Sequence, residues 1–529
     1  MDIIGNRTLR DLLTEKVNIN PDKPFLLFED DEERITVLTY GEFQARVNGL
    51  SRAVVDLGVK KGDHVTLHLP NCLEFAITWF ALANIGAIMV PTNTLSTESE
   101  MEYMLEHSGS VLLITEEAYL GKFLSLRNKL PKLRDILLGR YQGQEHKNNS
   151  LNLLIEQAPP DPPAIPLDAE DVVAMLYTSG TTSRPKGVLL THANYLYAGE
   201  VMSKSIGLSP DDRHLAVLPF FHANAQYYSF MSGLTVGASI AITERFSASR
   251  YFKQAKRMDA TVGSLFAAPI RMILRQEYDP ADRDNKLRVV WFAQAITEAQ
   301  LATFEERYDT RLLHLYGMTE TVGTPLMNPI YGQRRNMGIG RPTLGYEVKV
   351  VDEEGNEVQQ GQVGELLVKG VPGRTLMKGY FNNPEATRDV LRDGWLYTGD
   401  NVRVDVEGYF YFIDRMKDMI KRAGENVAAN EVEKVIAGHS SVFDCAVIGI
   451  PDEIRDESIK AYVILREGMS ATQEEIIEFC CARLIKFKVP EYVEFINELP
   501  RTSVGKIQKH VLRKWHEEGE KAHGLKGGT

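Results

Sequence analysis

At 529 residues the chain is far longer than the roughly 100 to 200 residues of one domain, so a large core and at least one further unit are expected. Hydrophobic residues at 43% and charged residues at 25% are ordinary globular values that exclude a mostly disordered or fibrous chain. A net charge of -12, with no basic stripe set apart from it, argues against a nucleic-acid binder, because backbone phosphates repel an acidic surface.

The opening MDIIGNRTLRDLL lacks the basic-then-apolar order of a secretory leader, and none is expected. Short apolar runs of strand type then recur between helical patterns: HVTLHL at 64–69, VLLIT at 111–115, VVAML at 172–176, RVVWFA at 288–293 and RLLHLY at 311–316. That alternation predicts largely parallel sheets covered by helices. The run FAITWFALANIGAIMV at 75–90 is shorter than the roughly 18 apolar residues a membrane span needs and contains Asn84 and Gly86, so it predicts a buried helix. A proline-rich connector, APPDPPAIP at 158–166, leads into the strand before the first motif.

From about 346 the texture shifts to short strands with Gly-containing turns (YEVKVVD, GELLVKG, GYFYFID), which predicts an antiparallel β subdomain. Beyond Asp414, Asn430 followed by Glu433 and Thr472 followed by Glu475 have capping-box spacing at helix starts, with strands CAVIGI and KAYVIL between them. The expected fold is therefore α/β: a large N-terminal domain over 1–415, with an antiparallel β subdomain, and a small α+β C-terminal domain over 416–529. Cys72, Cys445, Cys480 and Cys481 have no metal-ligand spacing and read as reduced, mostly buried thiols of a cytoplasmic protein.

The sharpest chemical signal is Thr178-Ser-Gly-Thr-Thr-Ser-Arg-Pro-Lys-Gly187, directly after a strand. Glycines and hydroxyl residues in a turn aim N-H and O-H donors at a phosphate, and Lys186 adds a positive charge. The string is not the GxxxxGK[ST] loop, so the kinase and P-loop ATPase readings lose their main support. A plain surface loop would also use Ser, Thr and Gly, but not in this order with Pro and Lys.

The loop resembles the signature of the adenylate-forming superfamily: acyl-CoA synthetases, adenylation domains and luciferases. Further motifs of that superfamily follow in order from about Leu12 to Leu512: Pro219-Phe-Phe-His222, Tyr316-Gly-Met-Thr-Glu320, Tyr397-Thr-Gly-Asp400, Asp414-Arg415 with Lys417, and Pro500-Arg-Thr-Ser-Val-Gly-Lys506. The resemblance implies a nucleotide site made of Thr178, Ser179, Gly180, Thr181, Thr182, Lys186, Gln294, Ala295, Tyr316, Gly317, Met318, Thr319, Asp400 and Arg415. It implies Mg²⁺ on Glu320 and Thr181, and a catalytic set of Lys506, His222, Thr319 and Glu320. Joining a carboxylate to the α-phosphorus of ATP brings two anions together, so cations and N-H donors are what the chemistry demands. It further implies a mobile small domain that pivots at Lys417 and presents Gly424, Glu425 and Asn426 to coenzyme A.

Two departures from the commonest pattern bear on the acid. Ser183-Arg184 precedes Pro185, and together with LHLPNCLEF, GAIMVP, GIPDEIRDE and FKVP this makes the crotonobetaine/carnitine-CoA ligase branch the nearest resemblance. Ala293-Gln294-Ala295 stands where Gly-rich residues are usual. The implied acyl pocket draws on Phe221, Asn224, Tyr227, Tyr228, Trp291, Phe292, Gln294, Met318 and Gly323. So aromatic a set could cage a trimethylammonium head or line a slot for a short to medium-chain or aryl acid. The expected activity is ATP-dependent ligation of a small carboxylic acid to coenzyme A, with a homodimer left open. The rivals are loading of a carrier-protein thiol or amide formation, which the chain's end soon after Lys506 disfavours, then a luciferase-like oxygenase and a decayed, non-catalytic relative.

Overall fold

A computed structural model describes residues 3–159, 161–178, 185–415, 418–422, 425–452, 456–501 and 507–522. Each expected parallel strand forms, as His64–His68, Leu112–Thr115, Val172–Thr178, Val289–Ala293 and Arg311–Tyr316. They divide between two sheets. One runs, in spatial order, from Gly379–Tyr380 through Lys186–Thr191, Val172–Thr178, Ile88–Pro91, His64–His68 and Leu112–Thr115 to Asp135–Leu138. The other has Arg311–Tyr316, Val289–Ala293, Val262–Phe266, Arg213–Ala216, Ser239–Thr243 and Pro24–Glu29 as its parallel centre. Both are covered on two faces, so their strands read as continuous apolar runs rather than alternations; Leu112–Thr115 is buried at every position.

The apolar stretch at 75–90 forms the helix Leu73–Ile85, buried at every residue except Glu74 and ended by Gly86 at φ 70°, a left-handed C-cap. Its Trp79 ring meets Tyr195, on the helix after a strand of the first sheet, at 5.0 Å and Phe230, between two strands of the second, at 5.1 Å, within one continuous core. Among the described residues no helix is long and apolar enough to cross a membrane.

The texture change near 346 becomes an antiparallel sheet of Glu347–Val351, Val363–Lys369, Trp395–Val404 and Phe410–Arg415. The last two strands bring Asp400 opposite Arg415 in register, which decides the geometry of the site. The α+β unit beyond them is built on Val442–Asp452 paired with Asp456–Leu465, and its second capping box forms as read: Thr472 accepts from the Glu475 N-H, and Glu475 accepts from the Thr472 N-H. The first does not. The helix Ala429–Ala437 has Ala428 at its N-cap without a side-chain cap bond. Asn430 instead gives its N-H to Asp414 and its amide to the Ile413 carbonyl, while Glu433 accepts from the Val447 N-H and pairs with Lys509 at 2.9 Å. Tertiary partners outbid the local cap there.

Candidate active site

The strand pairing that sets Asp400 against Arg415 also places both beside Tyr316, the last residue of its strand. The Tyr316 hydroxyl donates to Asp400 Oδ2 at 2.6 Å, and Arg415 Nε lies 3.2 Å from Oδ1. Burial, and then the Asp400 carboxylate, push the Tyr316 hydroxyl well above the usual tyrosine range, so it stays a donor. The same carboxylate pushes the Arg415 guanidinium further up. Asp400 is buried with one partner on each oxygen, and each oxygen keeps a lone pair that could accept a ribose hydroxyl.

A second group gathers around Glu320, itself buried. The Tyr380 hydroxyl donates to Glu320 Oε1 at 2.9 Å, and Lys186 Nζ stands 5.0 Å from the centre of the same tyrosine ring. Tyr380 lies in a two-residue strand against Lys186–Thr191, so one pairing joins the end of the hydroxyl-rich loop to the acidic motif. Thr178 and Lys186 face each other across the base of that loop.

Between these groups the segment 317–323 is a tight, braced turn. Val322 sits at φ 68°, a left-handed conformation that is an outlier for a β-branched residue. The Tyr346 hydroxyl holds it, donating to the Thr321 carbonyl at 2.7 Å and accepting from the Gly323 N-H at 2.8 Å. Tyr228 donates to the Gly323 carbonyl at 3.3 Å, and Tyr227 to the Thr319 carbonyl at 3.4 Å. Glycine suits position 317, since a Cβ there would stand 2.2 Å from the Tyr228 hydroxyl and 2.9 Å from the backbone carbonyl oxygen of Gly323. Gln294 takes φ 69° in the Ala293-Gln294-Ala295 bend, a second strained position at the same cleft.

His222 is half-buried and lies against Phe221, ring centres 4.3 Å apart. The chain continues as a π-helix, Asn224–Met231, a rare form concentrated at functional sites. Ser264 donates to Asn224 Oδ1 at 2.7 Å. Beyond that pair the aromatic lining expected from sequence is withdrawn. Trp291 and Tyr227 have no exposed surface at all, so neither faces a space that water could enter. The Trp291 ring instead meets His214 at 4.7 Å, Phe292 stacks on His314 at 4.6 Å, and the tyrosine hydroxyls are committed to the 317–323 turn. Phe221, His222, Asn224, Gln294, Met318 and Thr319 keep accessible surface, while Gly323 is covered. Trp291 and Tyr227 are thus packed in the core, and of the aromatic residues expected to line the acyl pocket Phe221 keeps accessible surface.

Ser179, Gly180, Thr181, Thr182, Lys417, Gly424 and Lys506 lie outside the described residues. Glu425 and Asn426 open the strand Glu425–Ala428, paired with Arg422 and Lys421.

A family model described as AMP-binding enzyme matches residues 13–381, and one described as AMP-binding enzyme C-terminal domain matches 431–506. The chain belongs to the AMP-binding enzyme family. Among curated AMP-binding relatives, the crotonobetaine/carnitine-CoA ligase of Salmonella arizonae is 39% identical over 520 residues, 97% of this chain and 100% of that protein. The Proteus mirabilis ligase of the same name is 39% identical over 518 residues, again 97% and 100%. Among solved structures, the anthranilate CoA ligase AuaEII in complex with anthranoyl-AMP superposes with a TM-score of 0.90 at 28% identity, covering 98% of each chain. ATP-bound MatB from Rhodopseudomonas palustris gives 0.86 at 26% identity, covering 96% of this chain and 99% of that one.

The sequence reading missed Tyr380 and Tyr346. Gly379-Tyr380 followed by Phe-Asn-Asn-Pro could have flagged the first as a residue just before a turn; nothing local marks the second.

Proposed function

We propose that the acid this enzyme activates is short, of the size of crotonobetaine or carnitine, and that its acyl group passes through an adenylate to the thiol of coenzyme A. The chain is an AMP-forming acid-thiol ligase. The observation that carries the assignment of the site is the meeting of Tyr316, Asp400 and Arg415 beside Glu320, which offers ribose acceptors and cations within one cleft. The full burial of Trp291 and Tyr227, which withdraws two large side chains from the expected acyl lining, supports the short acid.

In the first half-reaction a carboxylate oxygen attacks the α-phosphorus, the bond to the bridging oxygen breaks and pyrophosphate leaves. Asp400 accepts the ribose hydroxyls, Tyr316 lies against the base, Lys186 and Arg415 offset phosphate charge, and Thr319 donates to a phosphate or carboxylate oxygen. His222 orients the acid, and Lys506 bridges carboxylate and α-phosphate. In the second, the thiol sulfur attacks the acyl carbon, AMP departs and the thiol proton is released.

Magnesium fits the donor set. Mg²⁺ characteristically uses one or two carboxylates with phosphate oxygens and water, and Glu320 is a single buried carboxylate; no cluster of three His, Cys, Asp or Glu ligands occurs among the described residues. Glu320 and Thr181 would hold it, and bound there it would neutralise phosphate charge.

The same reading takes 1–415 as the adenylating domain and 416–529 as a mobile unit pivoting at Lys417, with Gly424, Glu425 and Asn426 toward coenzyme A. It places the enzyme in the cytoplasm and allows a homodimer. A panel of crotonobetaine, carnitine, crotonate, butyrate, hexanoate and decanoate, assayed with coenzyme A and with a carrier protein, tests it. Short acids and coenzyme A should win by tenfold or more in kcat/KM, about 1.4 kcal/mol in transition-state binding. Preference for decanoate, or for the carrier thiol, would refute it.

A further inference from the structure

The small unit touches the large one through a chain of charges that runs from the adenine side of the cleft to the base of the Lys506 loop. Arg271, on the helix Ala267–Arg275, donates from one terminal nitrogen to the Ala295 carbonyl at 3.0 Å, in the strained bend that carries Gln294. Its other terminal nitrogen reaches Asp444 Oδ1 of the strand Val442–Asp452 at 3.2 Å. The second oxygen of Asp444 pairs with Arg501. Arg501 is the last described residue before 502–506, the stretch that includes Lys506, and its backbone bridges to Ile507 on the far side of that stretch.

We infer that Arg271, Asp444 and Arg501 form a positioning relay that docks the small domain on the large one for adenylation, and so serves that half-reaction and not thioester formation. The inference rests on Lys506 being the adenylating lysine, as proposed above.

Electrostatics make Asp444 the keystone. It is mostly buried, with 12% of its side chain exposed, between two guanidinium groups at 22% and 25%. With Asp444 present each arginine has a counter-ion in a low-dielectric contact; without it two like charges face each other across the junction. A neighbouring contact from the same helix shows what an ordinary rim pair looks like. Arg275 pairs with Glu467 at 2.7 Å, but the two side chains are 50% and 88% exposed, and the guanidinium otherwise rests 5.1 Å from the Phe443 ring. The relay, unlike that pair, ends beside groups the proposed reaction uses: Ala295 of the implied adenine pocket at one end and Arg501, five residues before Lys506, at the other.

Separate assays of the two half-reactions test this on the full-length enzyme, with butyrate-dependent ATP–pyrophosphate exchange for the first and conversion of butyryl-adenylate and coenzyme A to thioester for the second. Asp444→Asn should lower exchange about tenfold or more and leave thioester formation within about twofold. The preserved second half-reaction also reports that the variant is folded. Arg271→Gln should act in the same direction, and the double variant should lose less than the product of the single losses, because both act on one contact. Glu467→Gln should leave both assays within about twofold. Equal loss of both half-reactions in Asp444→Asn, loss of neither, or losses that simply multiply would overturn the relay. Lys506→Ala run alongside separates the causes: exchange abolished there but intact in Asp444→Asn sinks the relay alone, and exchange intact in both sinks the lysine assignment with it.

Discussion

On the nucleotide side of the cleft each carboxylate oxygen of Asp400 already has a partner on another element, and Glu320, Tyr380 and Lys186 interlock in the same way. On the expected acyl side a polar group is buried differently: Trp291 Nε1 has no hydrogen-bond partner among the described residues, and its ring packs on the buried His214. Burial pushes the His214 ring down to about 3, so it stays neutral. An unmet buried polar group costs roughly 1–3 kcal/mol, a cost the first region avoids and the second carries.

The largest effect is expected where that interlocking is densest. Asp400→Ala removes the acceptor for Tyr316 and Arg415 as well as for ribose, and should lower kcat/KM for ATP by about a hundredfold to a thousandfold, read by pyrophosphate release at varied ATP. A loss under threefold would show that the constellation is structural only. Next, Tyr380→Phe deletes the bond to Glu320 and should cost about tenfold, with the half-saturating Mg²⁺ concentration raised. An unchanged metal requirement would detach Tyr380 from the metal site.

The acyl side should respond in kind rather than in amount. Trp291→Leu opens space behind Asn224 and should raise the decanoate-to-butyrate ratio of kcat/KM by about three- to tenfold, at a stability cost of about 2–3 kcal/mol from the cavity left in the core. A ratio that stays put would place the acid elsewhere.

These two regions also differ in how far the sequence disclosed them. Tyr316, Asp400, Arg415, Glu320 and Lys186 stand in short motifs at the ends of strands, where the chemistry dictates residue type, and the structure brings them together as read. Trp291, Tyr227 and Tyr228 look like pocket residues in sequence because aromatic residues suit both cages and cores. Strand direction and a π-helix decide between those fates, and neither shows in a local pattern. The capping-box spacing at Asn430 misled for a related reason: a distant backbone group, the Asp414 carboxylate and Lys509 compete for the same side chains. The strands themselves were legible because parallel sheets covered on both faces demand continuous apolar runs.

The smallest effect concerns the junction. Burial, as the largest cause, raises Asp414 to about 6 against 3.8 ordinarily. A carboxyl whose folded pKa is raised adds stability below the unfolded value and loses it as pH rises through the folded one. Wild type should therefore lose about 2–3 kcal/mol from this group between roughly pH 4 and 6, a loss Asp414→Asn escapes. The Tm of Asp414→Asn relative to wild type should climb by one to a few degrees over that window and level off above it. A difference that is flat with pH would contradict the buried setting of this carboxyl.

The central claim, that the Tyr316–Asp400–Arg415 cleft carries out AMP-forming activation ahead of thioester formation, is tested most directly by product stoichiometry with butyrate, ATP and coenzyme A. One AMP and one pyrophosphate per butyryl-CoA, with the formation of both slowed about a hundredfold or more in Asp400→Ala at low ATP, is the result expected. ADP and orthophosphate as products, or full AMP formation in Asp400→Ala, would contradict it.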